Sequence, residues 1–185
     1  MIYFTADTHF SHNNIIKYCN RPFKDSQEMD DILIKNWNSK VKKDDSVYHL
    51  GDVGLGNPIR LKYILDELHG KIYLIKGNHE KTAMNKKCIN RFEWIKDYFE
   101  LNYFDNEDKK MQMLILFHYP LKTWNKKNYG SWHLFGHVHG RISEDNTLSM
   151  DVGVDCTNYF PISYYEIKEK MKQKIINVDN LRSGK

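Results

Sequence analysis

The amino-acid sequence predicts an α/β fold with two β-sheets, formed by one domain over residues 1–185. In the first half, short apolar strands alternate with amphipathic helices, which favours parallel strand pairing. In the second half, two strand-like segments flank a polar turn at residues 105–110, which favours an antiparallel hairpin. The sequence contains neither an internal repeat nor a linker that would divide the chain.

Three strands are predicted in the first half, at residues 2–6, 46–50 and 71–76. Each is a short apolar run, and each is followed by polar residues or glycine, as is typical of buried strands. The first strand leads directly into Asp7, and the third leads into Gly77.

Three helices are predicted between these strands. The first covers residues 13–19, and the last, around residues 61–68, ends at Gly70. The middle helix begins at a cap formed by Asp25 or Ser26. Its apolar residues recur along one face, namely at Met29, Ile32, Leu33 and Trp37.

The second half is predicted to contain four strands and one helix. The strands are placed at residues 94–104, 111–118, 132–136 and 147–154. Ser163 and Glu166 form a capping box, which predicts a last helix reaching to about residue 174.

Composition narrows the class of protein. The longest apolar run, residues 113–117, is too short for a membrane span, and the N-terminus does not resemble a secretory leader. The three cysteines, at positions 19, 88 and 156, share no close spacing, which is typical of a reducing compartment. We therefore expect a cytoplasmic protein without a membrane partner. The net charge of +4 is small. The lysine pairs are scattered along the sequence, and we interpret them as parts of solvated loops.

Histidines are the unusual feature of the sequence, which contains nine of them. Five occur in short motifs with Asp, Asn or Gly neighbours, several of which directly follow predicted strands. Loops that leave the same edge of an α/β sheet converge, and ligands bind there. In chain order, the motifs are Asp7-Thr8-His9, Gly51-Asp52, Gly77-Asn78-His79-Glu80, His118 and Gly136-His137-Val138-His139.

The residue types in these motifs point to metal binding. Carboxylate, imidazole and amide donors suit manganese, iron, zinc, cobalt or nickel better than magnesium alone. Seven candidate ligands exceed the need of one open catalytic metal, but they suffice for two metals if one carboxylate bridges them. Two adjacent metals activate a water molecule for attack on phosphorus, so the pattern predicts hydrolysis of a phosphate ester.

The five motifs, in this order, resemble the signature of the calcineurin-like metallophosphoesterases: Asp-x-His, Gly-Asp, Gly-Asn-His-Asp/Glu, His and Gly-His-x-His. The resemblance runs from Met1 to about Glu166. Residues 7–16, followed by Arg21-Pro22-Phe23, are also similar to a subgroup of small bacterial and phage phosphoesterases. The resemblance implies a four-layer α-β-β-α sandwich of two packed mixed β-sheets flanked by helices.

The resemblance also implies a role for each motif residue. One metal would be bound by Asp7, His9, Asp52 and His139, and Asp52 would bridge to a second metal held by Asn78, His118 and His137. Manganese is the expected metal, with iron, zinc, nickel or cobalt as alternatives. His79 would bind no metal and would instead face the phosphate, stabilise developing charge and protonate the leaving oxygen.

Two departures from the family pattern exclude particular subclasses. Protein phosphatases of the family carry Asp and Arg at the positions of Leu55 and Gly56, and purple acid phosphatases carry a metal-binding Tyr at the position of Leu55. Neither subclass is therefore expected. Double-strand-break nucleases of the family carry an added DNA-facing domain, which is not expected in a chain of this length.

Three residues near the first motif are candidate substrate-binding residues: His12, Asn13 and Arg21. Two of them have structural alternatives, because Asn13 suits a helix cap and Arg21 suits an ion pair with an acid such as Asp25. His49, inside a strand, is interpreted as a core or supporting histidine.

These observations predict a phosphoesterase with two divalent metals. A metal-bridging hydroxide would hydrolyse phosphodiester or phosphomonoester bonds of a small, nucleotide-derived substrate or a nucleic-acid end. The first alternative is a pyrophosphohydrolase acting on a dinucleoside polyphosphate or a nucleoside diphosphate derivative. The second is a metal-binding scaffold without catalysis.

Overall fold

In the computed structural model, two mixed β-sheets pack face to face and are flanked by helices. The structure describes residues 1–142 and 147–182, with side chains up to residue 174. The predicted α/β class with two mixed sheets is therefore confirmed. Within the described residues, none of the helices is both long enough and apolar enough to cross a membrane.

The first sheet contains five strands in the order β4-β3-β2-β1-β9. Strands β1 to β3 run parallel, as the strand–helix alternation predicts; β4 also pairs parallel with β3, and β9 pairs antiparallel with β1. The strands are β1 (Ile2–Thr5), β2 (Ser46–His49), β3 (Lys71–Ile75), β4 (Phe92–Lys96) and β9 (Ile162–Ser163).

The second sheet contains four strands in the order β5-β6-β7-β8. The predicted hairpin is present, because β5 and β6 pair antiparallel, whereas β6, β7 and β8 run parallel. The strands are β5 (Tyr98–Asp105), β6 (Lys110–Phe117), β7 (Trp132–Phe135) and β8 (Ser149–Asp151).

The helices are α1 (Asn13–Tyr18), α2 (Ser26–Lys40), α3 (Pro58–Glu67) and α4 (Tyr164–Arg182). Among the described residues, α2, α3 and α4 begin at a side-chain cap, whereas α1 has none. The Asp25 side chain accepts a hydrogen bond from the Glu28 amide, and the Ser163–Glu166 capping box is formed in both directions. The last helix is longer than the sequence predicts.

Two apolar clusters hold the layers together. The first contains Met29, Leu33 and Trp37 of α2 and Leu61 of α3, which pack against the first sheet. The second contains residues from the facing sides of both sheets, together with Tyr164 of α4. This packing fixes the strand ends, from which the motif loops emerge.

The prediction of one strand over residues 94–104 is wrong. The chain leaves the first sheet after Lys96 and enters the second at Tyr98, so Asp97 marks a crossing between sheets. The Trp94 and Phe99 rings pack across this corner with their centroids 4.8 Å apart. Because apolar residues continue on both sides of the corner, the pattern resembles one uninterrupted strand.

Candidate metal centre

The five motifs lie at the C-terminal ends of five strands. Asp7 follows β1, Asp52 follows β2 and Asn78 follows β3, while His118 follows β6 and His137 follows β7. The two sheets therefore bring residues that are far apart in sequence to one edge of the sandwich.

The predicted ligands form two groups. The ligand atoms of Asp7, His9 and His139 lie within 4.8 Å of one another, and so do those of Asp52, His118 and His137. This is the same division that the family resemblance implies. The assignment of these residues to two metals nevertheless stays a prediction.

Asp52 lies between the two groups. Its Oδ2 atom is 3.6 Å from Nε2 of His9 and 3.6 Å from Nε2 of His118. Its Oδ1 atom accepts a 2.8 Å hydrogen bond from the backbone amide of His79, which fixes the rotation of the carboxylate. Oδ2 is thus positioned for a bridging role.

The hydrogen bonds of His118 indicate that the lone pair on its Nε2 atom is available to bind a metal. Its Nδ1 atom lies 2.7 Å from the carbonyl oxygen of Leu50, which can only accept, so Nδ1 carries the proton. Nε2 of the neutral ring is then an acceptor, yet it lies 3.1 Å from Oδ1 of Asn78. Two acceptors at this distance suit a shared cation better than a hydrogen bond.

Asp7 and His9 also fit a cation. Among the described residues, Oδ1 of Asp7 and both ring nitrogens of His9 are buried without a hydrogen-bond partner. Burial, together with neighbouring Asp151 and Asp52, raises the pKa of Asp7 well above its usual range. Burial and nearby cationic groups lower the pKa of His9 to about 2, so its imidazole is neutral and available as a ligand.

The backbone of the site is strained. Five predicted ligands have a left-handed φ that residues other than glycine rarely adopt. Such conformations cost on the order of 1–3 kcal/mol each and are concentrated at functional sites. The φ angles are 55° for Asp7, 48° for His9, 58° for Asp52, 72° for His137 and 49° for His139.

Two motif glycines are required by close packing. A Cβ atom at Gly77 would lie 2.7 Å from the backbone nitrogen of Asp52, and one at Gly136 would lie 2.6 Å from Oδ2 of Asp7. Both contacts are closer than real Cβ atoms approach a neighbour. The Gly-Asn-His and Gly-His motifs therefore need glycine so that the carboxylates approach the adjacent loops.

His79 lies at the exposed rim of the centre. Its ring centroid is 5.9 Å from that of His9, while its backbone is bound to Asp52. It belongs to neither group of ligands. This position agrees with a side chain that faces a bound phosphate rather than a metal.

The Arg21 side chain points into the protein, so the expectation that it binds substrate is corrected. Its side chain is buried, and all five of its N–H donors have acceptors. The guanidinium binds both oxygens of Asp155, at 2.8 Å each, and the backbone oxygens of Asp7 and Thr8. The ion pair is made with Asp155 and not with Asp25.

Asp155 is a supporting residue that the sequence analysis did not identify. Its Oδ2 atom accepts a 2.7 Å hydrogen bond from Nδ1 of His139, which leaves Nε2 of that ring free to bind a metal. Burial alone would raise its pKa, but hydrogen bonds from His139 and Arg21 lower the pKa of Asp155 below its usual value. No motif marks it, because it lies 134 residues from Arg21, in a 3₁₀ helix (Val154–Cys156) that follows β8.

Glu80 has a similar supporting role. Its Oε1 atom accepts hydrogen bonds from the backbone amides of Asp52 and Gly77 and so connects the loops after β2 and β3. Burial raises the pKa of Glu80 to about 7. Glu80 belongs to the Gly77-Asn78-His79-Glu80 motif, but no function is predicted for it from the sequence.

His49 joins the first two motif loops. The Thr8 hydroxyl donates to the carbonyl oxygen of Val53, so it accepts from Nε2 of His49 at 2.9 Å. Nδ1 of the same ring accepts from the Gly51 amide. His49 is therefore a supporting histidine, as its position in a strand suggests.

His12 and Asn13 occupy the rim near His9. The His12 ring lies 5.3 Å from the His9 ring, and its substrate-binding role stays a prediction. Oδ1 of Asn13 accepts a hydrogen bond from the Ser26 amide at the start of α2, so Asn13 supports a neighbouring helix rather than capping α1. A substrate-binding role for Asn13 stays a prediction as well.

Comparisons with known proteins identify the family. Residues 1–181 match the family described as Calcineurin-like phosphoesterase. The uncharacterized protein MJ1445 of Methanocaldococcus jannaschii is 35% identical over 170 residues, which cover 88% of this chain and 86% of that protein. The Gene 66 protein of Mycobacterium phage L5 is 36% identical over 81 residues, or 42% of this chain and 39% of that protein.

A solved structure has a similar fold. The crystal structure of AQ665, a protein of unknown function from Aquifex aeolicus, superposes with a TM-score of 0.71 at 26% identity. The similarity covers 92% of this chain and 98% of that one. Since the family match spans nearly the whole chain, the resemblance found in the motifs is confirmed, and this chain belongs to the calcineurin-like phosphoesterase family.

Proposed function

We propose that this chain is a phosphodiesterase that uses two divalent metals, preferably manganese, to hydrolyse a small nucleotide-derived substrate. Family membership and the two groups of candidate ligands support the broader statement that it is a metal-dependent phosphoesterase. The observation that carries the proposal is the position of Asp52 Oδ2, which lies 3.6 Å from a ring nitrogen in each group.

The residues of the site have separate roles in the proposed reaction. Asp7, His9 and His139 provide one set of donors, His118, His137 and Asn78 provide the other, and Asp52 serves both. When bound, two such metals activate a water molecule and neutralise the charge that develops on phosphorus. His79, at the rim, donates a hydrogen bond to the phosphate and a proton to the leaving oxygen.

The proposed preference for diesters depends on two positions beside the centre. Leu55 provides no carboxylate partner for His79, and Gly56 provides no guanidinium that would grip the doubly charged terminus of a phosphomonoester. Arg21 cannot replace the missing cation, because its donors are already used inside the protein. A much higher kcat/KM for a phosphomonoester than for a diester would contradict this preference.

The first experiment tests metal-dependent hydrolysis. We would strip the protein with a chelator, add manganese, and follow hydrolysis of bis-p-nitrophenyl phosphate by the wild type and by Asp52→Asn. The asparagine keeps the acceptor for the His79 amide but lacks the charge of the bridging oxygen. Turnover that requires manganese and vanishes in Asp52→Asn, together with a loss of both metals, supports the proposal.

Two other outcomes would favour the alternatives. Hydrolysis of an anhydride such as ADP-ribose, with simple diesters left intact, would indicate a pyrophosphohydrolase. A protein that binds two metals but hydrolyses neither substrate class would indicate a scaffold. Each outcome contradicts the phosphodiesterase proposal. Metal content is measured in parallel, so that a lack of hydrolysis is not mistaken for a failure to bind metal.

A further inference from the structure

A cavity of about 460 Å³ lies beside His79. Its volume is within the range of small-molecule sites, which is roughly 300–1,000 Å³. Its lining includes Leu55, Pro58, His79, Lys81, Thr82 and Asn85. Of the predicted metal ligands, only Asn78 contributes to its lining, so the cavity adjoins the metal centre without being part of it.

The position of His79 indicates which part of a substrate the cavity would receive. In an in-line displacement, the leaving oxygen departs on the side opposite the attacking water. The oxygen of water forms the new bond to phosphorus, and the bond to the leaving oxygen breaks with its electron pair kept on that oxygen. That oxygen takes a proton from His79, and the protons of the water return to solvent and to His79. The leaving group therefore has to lie within reach of the His79 ring, which forms one wall of the cavity.

The lining of the cavity indicates the chemistry of that group. Leu55 and Pro58 offer an apolar surface, whereas Thr82 and Asn85 offer polar atoms. Lys81 is exposed, and among the residues that the structure describes no carboxylate lies within ion-pair distance of its amine. Lysines elsewhere differ, since Lys62 pairs with Asp66 and Lys76 with Asp97.

We infer that this cavity binds the leaving group of the substrate and that Lys81 selects a leaving group with its own negative charge, as in a nucleotide. The inference rests on the proposed function, because it assigns the leaving-group side of the same reaction. The apolar wall provides a surface for a planar ring, and the uncompensated ammonium group provides a partner for an anion. Lys81 is thus a specificity-determining residue.

A pair of matched substrates tests the role of Lys81. In ethyl 4-nitrophenyl phosphate, the ring of the leaving group carries no charged substituent. Ethyl 3-carboxy-4-nitrophenyl phosphate adds one carboxylate to that ring. We expect the wild type to prefer the carboxylated ester by about fivefold in kcat/KM at low salt, mostly through KM, as for an exposed ion pair. The preference should decline with added salt, because exposed charges are screened.

The variants separate this effect from general effects of charge. Lys81→Ala should abolish the preference, and Lys81→Arg should restore most of it. The matched control is Lys86→Ala, which removes an exposed lysine of the same segment that does not line the cavity, and it should keep the preference. A wild type without any preference, or a Lys81→Ala protein that retains it, would overturn the inference.

The outcome also distinguishes this inference from the proposed function. If the wild type hydrolyses both esters equally, the phosphodiesterase proposal stands and the role of Lys81 fails. If the metal-loaded wild type hydrolyses neither ester, the proposed function fails as well. Where the wild type hydrolyses these esters, a single-stranded oligonucleotide tests whether a nucleotide is the leaving group. Hydrolysis that Lys81→Ala slows supports the inference, and hydrolysis that Lys81→Ala leaves unchanged contradicts it.

Discussion

Asp155 holds His139 through a 2.7 Å hydrogen bond to Nδ1, and the same carboxylate is held in turn by two hydrogen bonds from Arg21. Arg21 also binds the backbone oxygens of Asp7 and Thr8. One buried ion pair therefore connects the loop after β1 with the loops that carry His139 and Asp155. Such supporting contacts set the tautomer and the direction of a metal-binding imidazole.

Asp155→Asn should weaken metal binding without unfolding the protein. The amide keeps the shape of the carboxylate, but it accepts a weaker hydrogen bond from His139 and no longer matches the charge of Arg21. We expect manganese affinity to fall by about 10- to 100-fold, as for other residues that support metal ligands. Titration calorimetry on chelator-stripped protein measures this directly. The exposed Asp31→Asn is the matched control, and equal affinities for the two variants would contradict the prediction.

Arg21→Lys should reduce stability even though it preserves the charge. A lysine cannot satisfy both oxygens of Asp155 and two backbone carbonyls at once, so buried polar atoms lose their partners. Breaking a buried ion pair typically costs about 3–5 kcal/mol, and we expect a loss near the lower end because the lysine keeps one contact with Asp155. Urea unfolding of the metal-free protein tests the prediction. An unchanged free energy of unfolding, with diester KM raised instead, would return Arg21 to a substrate-binding role.

The candidate metal ligands could be predicted from the sequence, whereas the supporting roles of Asp155 and Glu80 could not. Asp7, Asp52 and Asn78 follow recognisable apolar strands, so their type and position indicate both the edge of the sheet and its chemistry. Asp155 follows no strand directly and carries no motif, and its role depends on a contact with Arg21 across 134 residues.

The same limit explains the other errors. Arg21 belongs to a motif that the sequence analysis recognised, but only burial shows that its donors point inward. The crossing between sheets at Asp97 is hidden because apolar residues flank it on both sides. Local patterns therefore predict the elements and the chemistry of the site, while contacts distant in sequence decide which side chains face the substrate.

His79→Ala should separate catalysis from metal binding. The imidazole belongs to neither group of ligands, and the backbone amide that holds Asp52 survives the substitution. We expect metal content near that of the wild type and turnover of the diester lowered by about 100-fold or more. Metal analysis of the gel-filtered protein and initial rates on bis-p-nitrophenyl phosphate provide the two readouts. Loss of a metal in this variant would show that His79 is a ligand and would remove its assigned role.

His49 should make the metal-free protein sensitive to acid. Burial and the neighbouring His118 lower the pKa of His49 to about 3, whereas an imidazole in the unfolded chain titrates near 6.5. Between these values only the unfolded chain binds the proton. The stabilisation is therefore complete above about pH 6.5 and is lost as the pH falls towards 3. One proton corresponds to a slope of about 1.4 kcal/mol per pH unit.

His49→Gln isolates that proton, because glutamine retains a donor for the Thr8 hydroxyl but does not titrate. We would measure urea unfolding of both metal-free proteins from pH 4.5 to 7.5. Above pH 7 the two free energies should differ by a constant offset, which reports the altered packing alone. Below pH 6 the gap should narrow with falling pH by nearly the single-proton slope, since the other buried groups are common to both proteins. Parallel curves over the whole range would mean that the pKa of His49 is the same in the folded and in the unfolded protein, and the buried neutral ring assigned to it would then be wrong.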